Sequence, residues 1–487
     1  MNSFLLNRSL GTISPQALSR AQTTRLVHAL QPAPGVKFDS NRGSGSQDGA
    51  QLGSDGQPAT WAHRAGVNSL VVDRFEGRYM LSGGADSSIF LWDLEAAENT
   101  YKSYVHGPTG ATPKGPGSHR FGITHLSFYA FDSLAFLSSS YDHTLKISSS
   151  ETLQPTASFD LDSVVYSHAL SPIAAHLLVA TASQHPSIRL VDLRSGSSTH
   201  ALVGHAGAVL TVAWSPRDEH ILASGGVDGT VRLWDVRRSA AGNLGVLDQE
   251  DSVGVGGYDG LGTGARPRAR GKAHGSGGAA SPVNGLAWTD DGNHLVSAGH
   301  DARIRVWDTA TGANTLTSFG PVVRNSQLAT VLPLLPAFSS SSGAPPLTTP
   351  PVMFFPNERE ILMFDLFEGT LLKRLRAPGL PFQPPPSSST GAAASQQKSL
   401  RNRVTALTWR AGNVELYSSH SDGTVRAWMP SLPADAQDDE DNDDDDETDA
   451  GGGNGGVGDE EERERKRKRQ ALDDVYQDLT RQKITFS

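Results

Sequence analysis

Residues 204–235 read GHAGAVLTVAWSPRDEHILASGGVDGTVRLWD. The stretch divides into three short strands. Val209 to Trp214 alternates apolar and small residues, and Ser215-Pro216-Arg217-Asp218 makes a turn. Ile221 to Ser224 is a second strand, Val227-Asp228-Gly229 a tight turn, and Thr230 to Trp234 a third strand. Gly229 suits a turn position with positive φ. Within this unit the side chains can be chained together. Asp228 can accept from backbone N–H groups and from His205, His205 can reach Ser224, and Ser224 can reach the indole N–H of Trp234. Burial demands such partners, because an unpaired buried polar group costs about 1–3 kcal/mol.

The unit recurs. A Ser followed by an Asp four positions later and a Trp six positions after that occurs as Ser82/Asp86/Trp92, Ser224/Asp228/Trp234, Ser297/Asp301/Trp307 and Ser418/Asp422/Trp428. A His stands upstream at His63, His205 and His274. Repetition at this spacing is the signature of WD-repeat propeller blades. It also argues against a Ser-His-Asp hydrolase, since an active site is needed once. Degenerate copies fill the gaps. His119, Ser138 and Asp142 keep the spacing, but Ser148-Ser149 replace the Trp-Asp pair. Val164 to Asp192 ends in another strand, Phe319 to Leu375 is the weakest copy, and Val404 to Trp428 lacks the His. The sequence therefore predicts an all-β, seven-bladed WD-repeat propeller, a ring with no exposed sheet edge.

Composition narrows the function. The chain has 487 residues and no Cys, so disulfides, thiolate metal sites and cysteine nucleophiles are excluded. No phosphate loop and no HExxH motif occurs, and no apolar run reaches the ~20 residues that span a bilayer. No catalytic, cofactor or metal site is expected. The net charge of −10 is unevenly spread. Residues 434–462 hold 15 acidic residues and no Lys or Arg, residues 463–487 sum to +4, and residues 1–433 are near +1. A near-neutral propeller argues against direct nucleic-acid contact, which needs clustered positive charge.

Three regions follow. Residues 1–38 contain no Asp or Glu and read as two short helices, the second starting from Ser14 with Pro15 at its first position and running to about Leu30. Leu18 and Leu26 lie on its apolar stripe and Leu5 on that of the first. Three readings stay open for this segment on its residues alone: a transit peptide, a brace on the ring, or an arm that docks in another protein's groove. Residues 39–433 hold the propeller, interrupted by Gly/Pro/Ser/Ala-rich insertions at 107–118, 239–272, 338–351 and 378–400. Residues 434–487 read as a disordered acidic and basic tail with a short terminal helix. Arg463, Arg465, Lys466, Arg467, Lys468 and Arg469 read as a nuclear localisation patch.

The order of VYSHALSP (165–172), the AWSPRDEHILASGGVDGTVRLWDVRR run (213–238), VNGLAWTDDGNHL (283–295) and the WMPSL exit (428–432) closely resembles the Cockayne syndrome A protein family over about residues 1–433. The resemblance implies a non-catalytic substrate receptor of a cullin-4 RING ubiquitin ligase, hung from the ligase's damaged-DNA-binding adaptor. It implies action in transcription-coupled nucleotide excision repair with the Cockayne syndrome B remodeller at stalled RNA polymerase II. Trp234-Asp235-Val236-Arg237 matches the W-D-x-R motif by which such receptors contact the adaptor. Arg194 stands at the equivalent place one blade earlier, and Leu5, Leu18 and Leu26 match the inserted helical arm. A second reading is a WD scaffold of another nuclear assembly, in chromatin or RNA processing.

Overall fold

The computed structural model describes residues 9–431 apart from 12–13, 41–60, 97, 101–102, 113–114, 116, 174, 239–242, 249–280, 326–328, 337–350 and 378–402. Seven small antiparallel sheets form a seven-bladed propeller. Blade four is the quoted stretch: Val209–Trp214, Ile221–Gly226 and Thr230–Asp235, with Asn243–Asp248 added as an outer strand that the three-strand reading did not include. Blade one adds Pro108–Ala111 as its outer strand, in a stretch read from the sequence as loop. Blade two is Ile123–Phe128, Ala135–Ser140, Thr144–Ser149 and Pro155–Asp160. In blade six, Leu334 exchanges both backbone bonds with Phe354, at 2.8 and 2.9 Å, and so supplies the inner edge to Val352–Pro356, Glu360–Asp365 and Leu371–Arg376.

Each blade is apolar on both faces, because each is covered by its two neighbours. Middle strands are therefore buried almost throughout, as in Ile221–Gly226 and Glu415–His420. The inner strands are tied across the seams by side chains. The indoles of Trp214 and Trp288 donate to the carbonyls of Ala169 and Ala213, at 3.0 and 3.1 Å. Ser69 Oγ accepts from the Leu126 N–H, and Thr408 Oγ1 from the Val72 N–H. Ser127 meets His168 Nε2 at 2.9 Å.

The ring is closed by the N-terminal segment. Helix α1 (Pro15–His28) starts at Ser14, whose Oγ accepts from the Ala17 N–H, and stops at Ala29. It runs directly into strand β1 (Leu30–Pro32), which pairs antiparallel with Val425–Pro430 and becomes the outer strand of blade seven. The segment read as the end of the arm thus belongs to the ring. Pro32 is compatible with this place, since an outer strand needs donors on one side only. Strand β2 (Val36–Phe38) then pairs in parallel with Ser103–His106. Phe38 sits edge-on to Trp92 at 5.4 Å and stacks on His106 at 4.9 Å, joining blade one to blade seven through Tyr417. Gly423 completes the seam. Its carbonyl accepts from the N–H groups of Ala62 and His63, and at φ +86° a Cβ there would collide with the His63 carbonyl.

Acid titrates this interior in a defined direction. Burial lowers the pKa of His125 to about 4, and holds His168 and His420 well below 6.5. These rings stay neutral in the fold while the unfolded chain protonates them. Their stabilisation is complete above pH 6.5 and is lost as the pH falls toward 4. Asp86, Asp142 and Asp228 behave differently. Burial alone raises a carboxyl, but hydrogen bonds from His63, His119 and His205 hold these three below 3.8, so their contribution is lost only under that value. The urea midpoint should therefore drop in two stages, from pH 6.5 to 4 and again below 3.8. A midpoint constant from pH 7 to 4 would contradict the buried-histidine assignment.

Candidate docking rim

In every blade the first and third strands end on the same face of the ring. Contacts between neighbouring blades trace that rim. His176 bonds the Glu219 carbonyl at 2.8 Å, Arg217 donates to Asn293 at 2.9 Å, Thr317 donates to the Phe367 carbonyl at 3.3 Å, and Arg410 reaches Glu95 at 3.4 Å. Arg237 and Arg194 each follow a third strand, so both lie on this rim.

Arg237 is oriented by its own blade. Nε donates to Asp235 Oδ1 at 3.0 Å and Nη2 to Oδ2 at 2.9 Å, a bidentate pair. The hydrogen bond from Arg237 holds the Asp235 carboxyl below its ordinary range. The side chain remains 66% exposed, and the guanidinium has further N–H donors beyond those of the Asp235 pair. Arg194 is exposed, and its backbone N–H is bonded to Asp192 at 2.9 Å.

The arm reaches the same rim. Leu30 pairs with Pro430, the last residue of the third strand of blade seven, so α1 enters the ring from the side that carries Arg237. Lys373 Nζ donates to the carbonyls of His28 at 2.8 Å and Leu30 at 2.7 Å, and fixes the exit of the helix. Leu26 is packed against the core between blades six and seven, beside the fully buried Val27. The last turn of the helix is therefore packed on the ring. Leu5 and the side chain of Leu18 lie outside the described residues, as do His274 and the basic patch 463–469.

The rim also displays apolar side chains that the sequence reading missed. Phe75, Phe131, Leu134, Ile173 and Phe367 are each 44–60% exposed and stand in loops that follow first or third strands. Only placement on a shared rim distinguishes them from ordinary loop residues, and that placement is tertiary.

The polar quartets lie inside the blades. His205 Nε2 meets Ser224 Oγ at 2.7 Å, His205 Nδ1 meets Asp228 at 3.1 Å, and the indole of Trp234 donates to Ser224 at 2.8 Å. His63, Ser82 and Trp92 repeat the arrangement at 2.7 and 2.8 Å, with Asp86 3.5 Å from the ring. Trp307 donates to Ser297 and Trp428 to Ser418, at 2.8 and 2.9 Å. Asp301 and Asp422 hold their turns and pair with Arg305 and Arg426. The last blade lacks the upstream His, yet His420 on the same strand as Ser418 meets its hydroxyl at 3.0 Å and takes that place. All these serines are buried and already bonded, an arrangement that knits sheets together. Among the described residues no group of three or more His, Asp or Glu could hold a metal ion, and no helix is long and apolar enough to cross a membrane.

Comparison with known proteins agrees with the fold. The model of the WD domain, G-beta repeat, matches residues 57–93, 196–235 and 270–308. This is a WD-repeat propeller. The chain is similar to the WD repeat-containing protein ATCSA-1 of Arabidopsis thaliana, at 29% identity over 425 residues, covering 76% of this chain and 86% of the relative. It is also similar to the ribosome biogenesis protein ytm1 of Aspergillus clavatus, at 29% identity over 272 residues, and of Aspergillus terreus, at 29% over 290. Those matches span about half the length of each ytm1 relative, 53% and 57%.

Proposed function

We propose that this chain is a non-catalytic substrate receptor of a cullin-4 RING ubiquitin ligase, acting in transcription-coupled nucleotide excision repair in the nucleus. The observation that carries this reading is the shared rim: the N-terminal helix and Arg237 are presented on one face, leaving the opposite face for a client. Similarity to ATCSA-1 across most of both chains supports it. The Asp235-oriented guanidinium offers donors to carbonyls or carboxylates of the damaged-DNA-binding adaptor, and Phe131, Leu134 and Ile173 offer apolar area on the same rim. The Cockayne syndrome B remodeller and stalled RNA polymerase II are the expected clients. The basic run 463–469 is the expected nuclear address.

The test is co-purification with the adaptor. Reversing both rim charges, Arg237→Glu with Arg194→Glu, removes two charge-assisted contacts and places carboxylates against the same acceptors. That should weaken capture by tenfold or more, given about 1.5–3 kcal/mol for each hydrogen bond to a charged group. Arg237→Glu also sets a carboxylate against Asp235 and should lower the unfolding midpoint somewhat, so capture is compared at a temperature where both proteins stay folded. Undiminished capture of the adaptor would overturn the docking assignment.

The ytm1 similarity favours one second reading, a WD scaffold in ribosome assembly. Mass spectrometry of the purified complex separates the two: cullin and adaptor subunits in one case, pre-ribosomal factors without them in the other.

A further inference from the structure

Blade two lacks the tryptophan that the other full quartets contain. Ser148 stands opposite Phe136 in the register where Trp92 faces Met80, Trp234 faces Leu222 and Trp428 faces Leu416. The rest of the quartet is intact. Ser138 Oγ lies 2.8 Å from His119 Nε2, and His119 Nδ1 lies 2.9 Å from Asp142. In the sister blades the serine oxygen also accepts the indole N–H, at 2.8–2.9 Å. Among the described residues of blade two nothing occupies that side of Ser138, and a cavity of about 300 Å³ opens there. Its walls are those that surround the indole elsewhere. Ile89 holds the place that Ile188 takes against Trp234, Ser118 that of Gly204, and Lys146 that of Arg232. Leu153 adds an apolar wall. Lys146 Nζ is turned to the carbonyls of Gly117 and Ser118, at 2.7 and 2.9 Å, so the ammonium is satisfied at the edge of the space.

We propose that this cavity is a binding site for an indole ring, which takes up the missing tryptophan's place and donates its N–H to Ser138 Oγ. Ile89 and Leu153 supply the apolar contact, and the serine acceptor selects a flat ring that carries a donor over one that does not. The ring can come from a free indole or from a tryptophan side chain of a partner protein. This site is independent of the docking rim.

Calorimetric titration of the full chain with indole, 1-methylindole and N-acetyltryptophanamide tests it. Indole should bind saturably and about tenfold more tightly than 1-methylindole, which has the same shape without the N–H. Binding of N-acetyltryptophanamide as tight as that of indole assigns the site to a protein side chain, and binding of indole alone assigns it to the free ring. Ser148→Trp should fill the space from within, abolish binding and raise the unfolding midpoint by several degrees. Ser138→Ala keeps the cavity and should erase the preference for indole over 1-methylindole, a readout that does not depend on the bulky variant folding. Indole that fails to bind at millimolar concentration, or that binds Ser148→Trp unchanged, or a preference that survives in Ser138→Ala, overturns the proposal.

Discussion

Deleting residues 1–32 should leave a chain that cannot hold a closed ring, while deleting residues 1–13 should leave the unfolding midpoint unmoved. The two truncations differ by α1 and β1. Val27 and Leu30 are fully buried in the core between blades six and seven, with Leu26 packed against it. Each fully buried aliphatic side chain contributes about 1.5–3 kcal/mol. The pairing of Leu30–Pro32 with Val425–Pro430 and the bond from the Ser431 N–H to the Ala29 carbonyl would go with them. The edge left behind includes Trp428, which is 1% exposed in the intact ring. The loss is on the order of 5 kcal/mol, comparable to the whole net stability of many domains. Aggregation on expression and loss of a cooperative urea transition are the expected outcomes. A soluble 33–487 fragment with an unchanged transition would refute the role of β1. The contrast also constrains work on the docking arm, because a truncation that passes Ser14 tests closure as well as docking.

Trp234→Ala should cost about 3–5 kcal/mol, the range for emptying a fully buried aromatic position. Trp234 is 0% exposed and packs between blades three and four with Ile188, Leu190 and Val212. Its removal deletes this apolar contact and also the donor that Ser224 accepts. Ser224→Ala should cost less, about 1–3 kcal/mol, by stranding the indole N–H and His205 Nε2 in the interior. Denaturant titration of the three proteins checks both the size and the order. Equal losses would mean that the hydroxyl, not the ring, dominates the quartet. A Trp234→Ala variant within 1 kcal/mol of wild type would show that the seam repacks freely.

The sequence made some parts of the molecule far easier to read than others, and burial explains the difference. Middle and third strands such as Ile221–Gly226 and Thr230–Asp235 are covered by two neighbouring blades, so nearly every position is restricted to small or apolar residues. Outer strands are wet on one side. Pro155–Asp160 alternates half-buried and exposed residues, and Leu371–Arg376 is exposed at four of its six positions, so their sequences carry little constraint. Pro108–Ala111, Asn243–Asp248 and Leu30–Pro32 went unrecognised for the same reason. Leu30–Pro32 had a further obstacle: its partner lies some four hundred positions away, and a Gln-Pro pair after a helix reads as a stop. Arg237 was legible because its motif is local. The substitution by His420 was not, because its ring comes from the same strand as Ser418, not from upstream. The apolar rim was hidden too, since Phe131 and Ile173 come to share one rim only when the blades assemble.

Closure by β1 also sets an order of events during synthesis. Leu30 leaves the ribosome about 400 residues before Pro430, its pairing partner, a wait of roughly 20–80 s at ordinary elongation rates of about 5–20 residues per second. Throughout that interval β1 has an unmatched row of backbone donors and acceptors, and the first blade lacks a neighbour on one side. Until its last blade emerges the nascent chain keeps this edge open to other strands, the exposure that makes unpaired edges prone to aggregate.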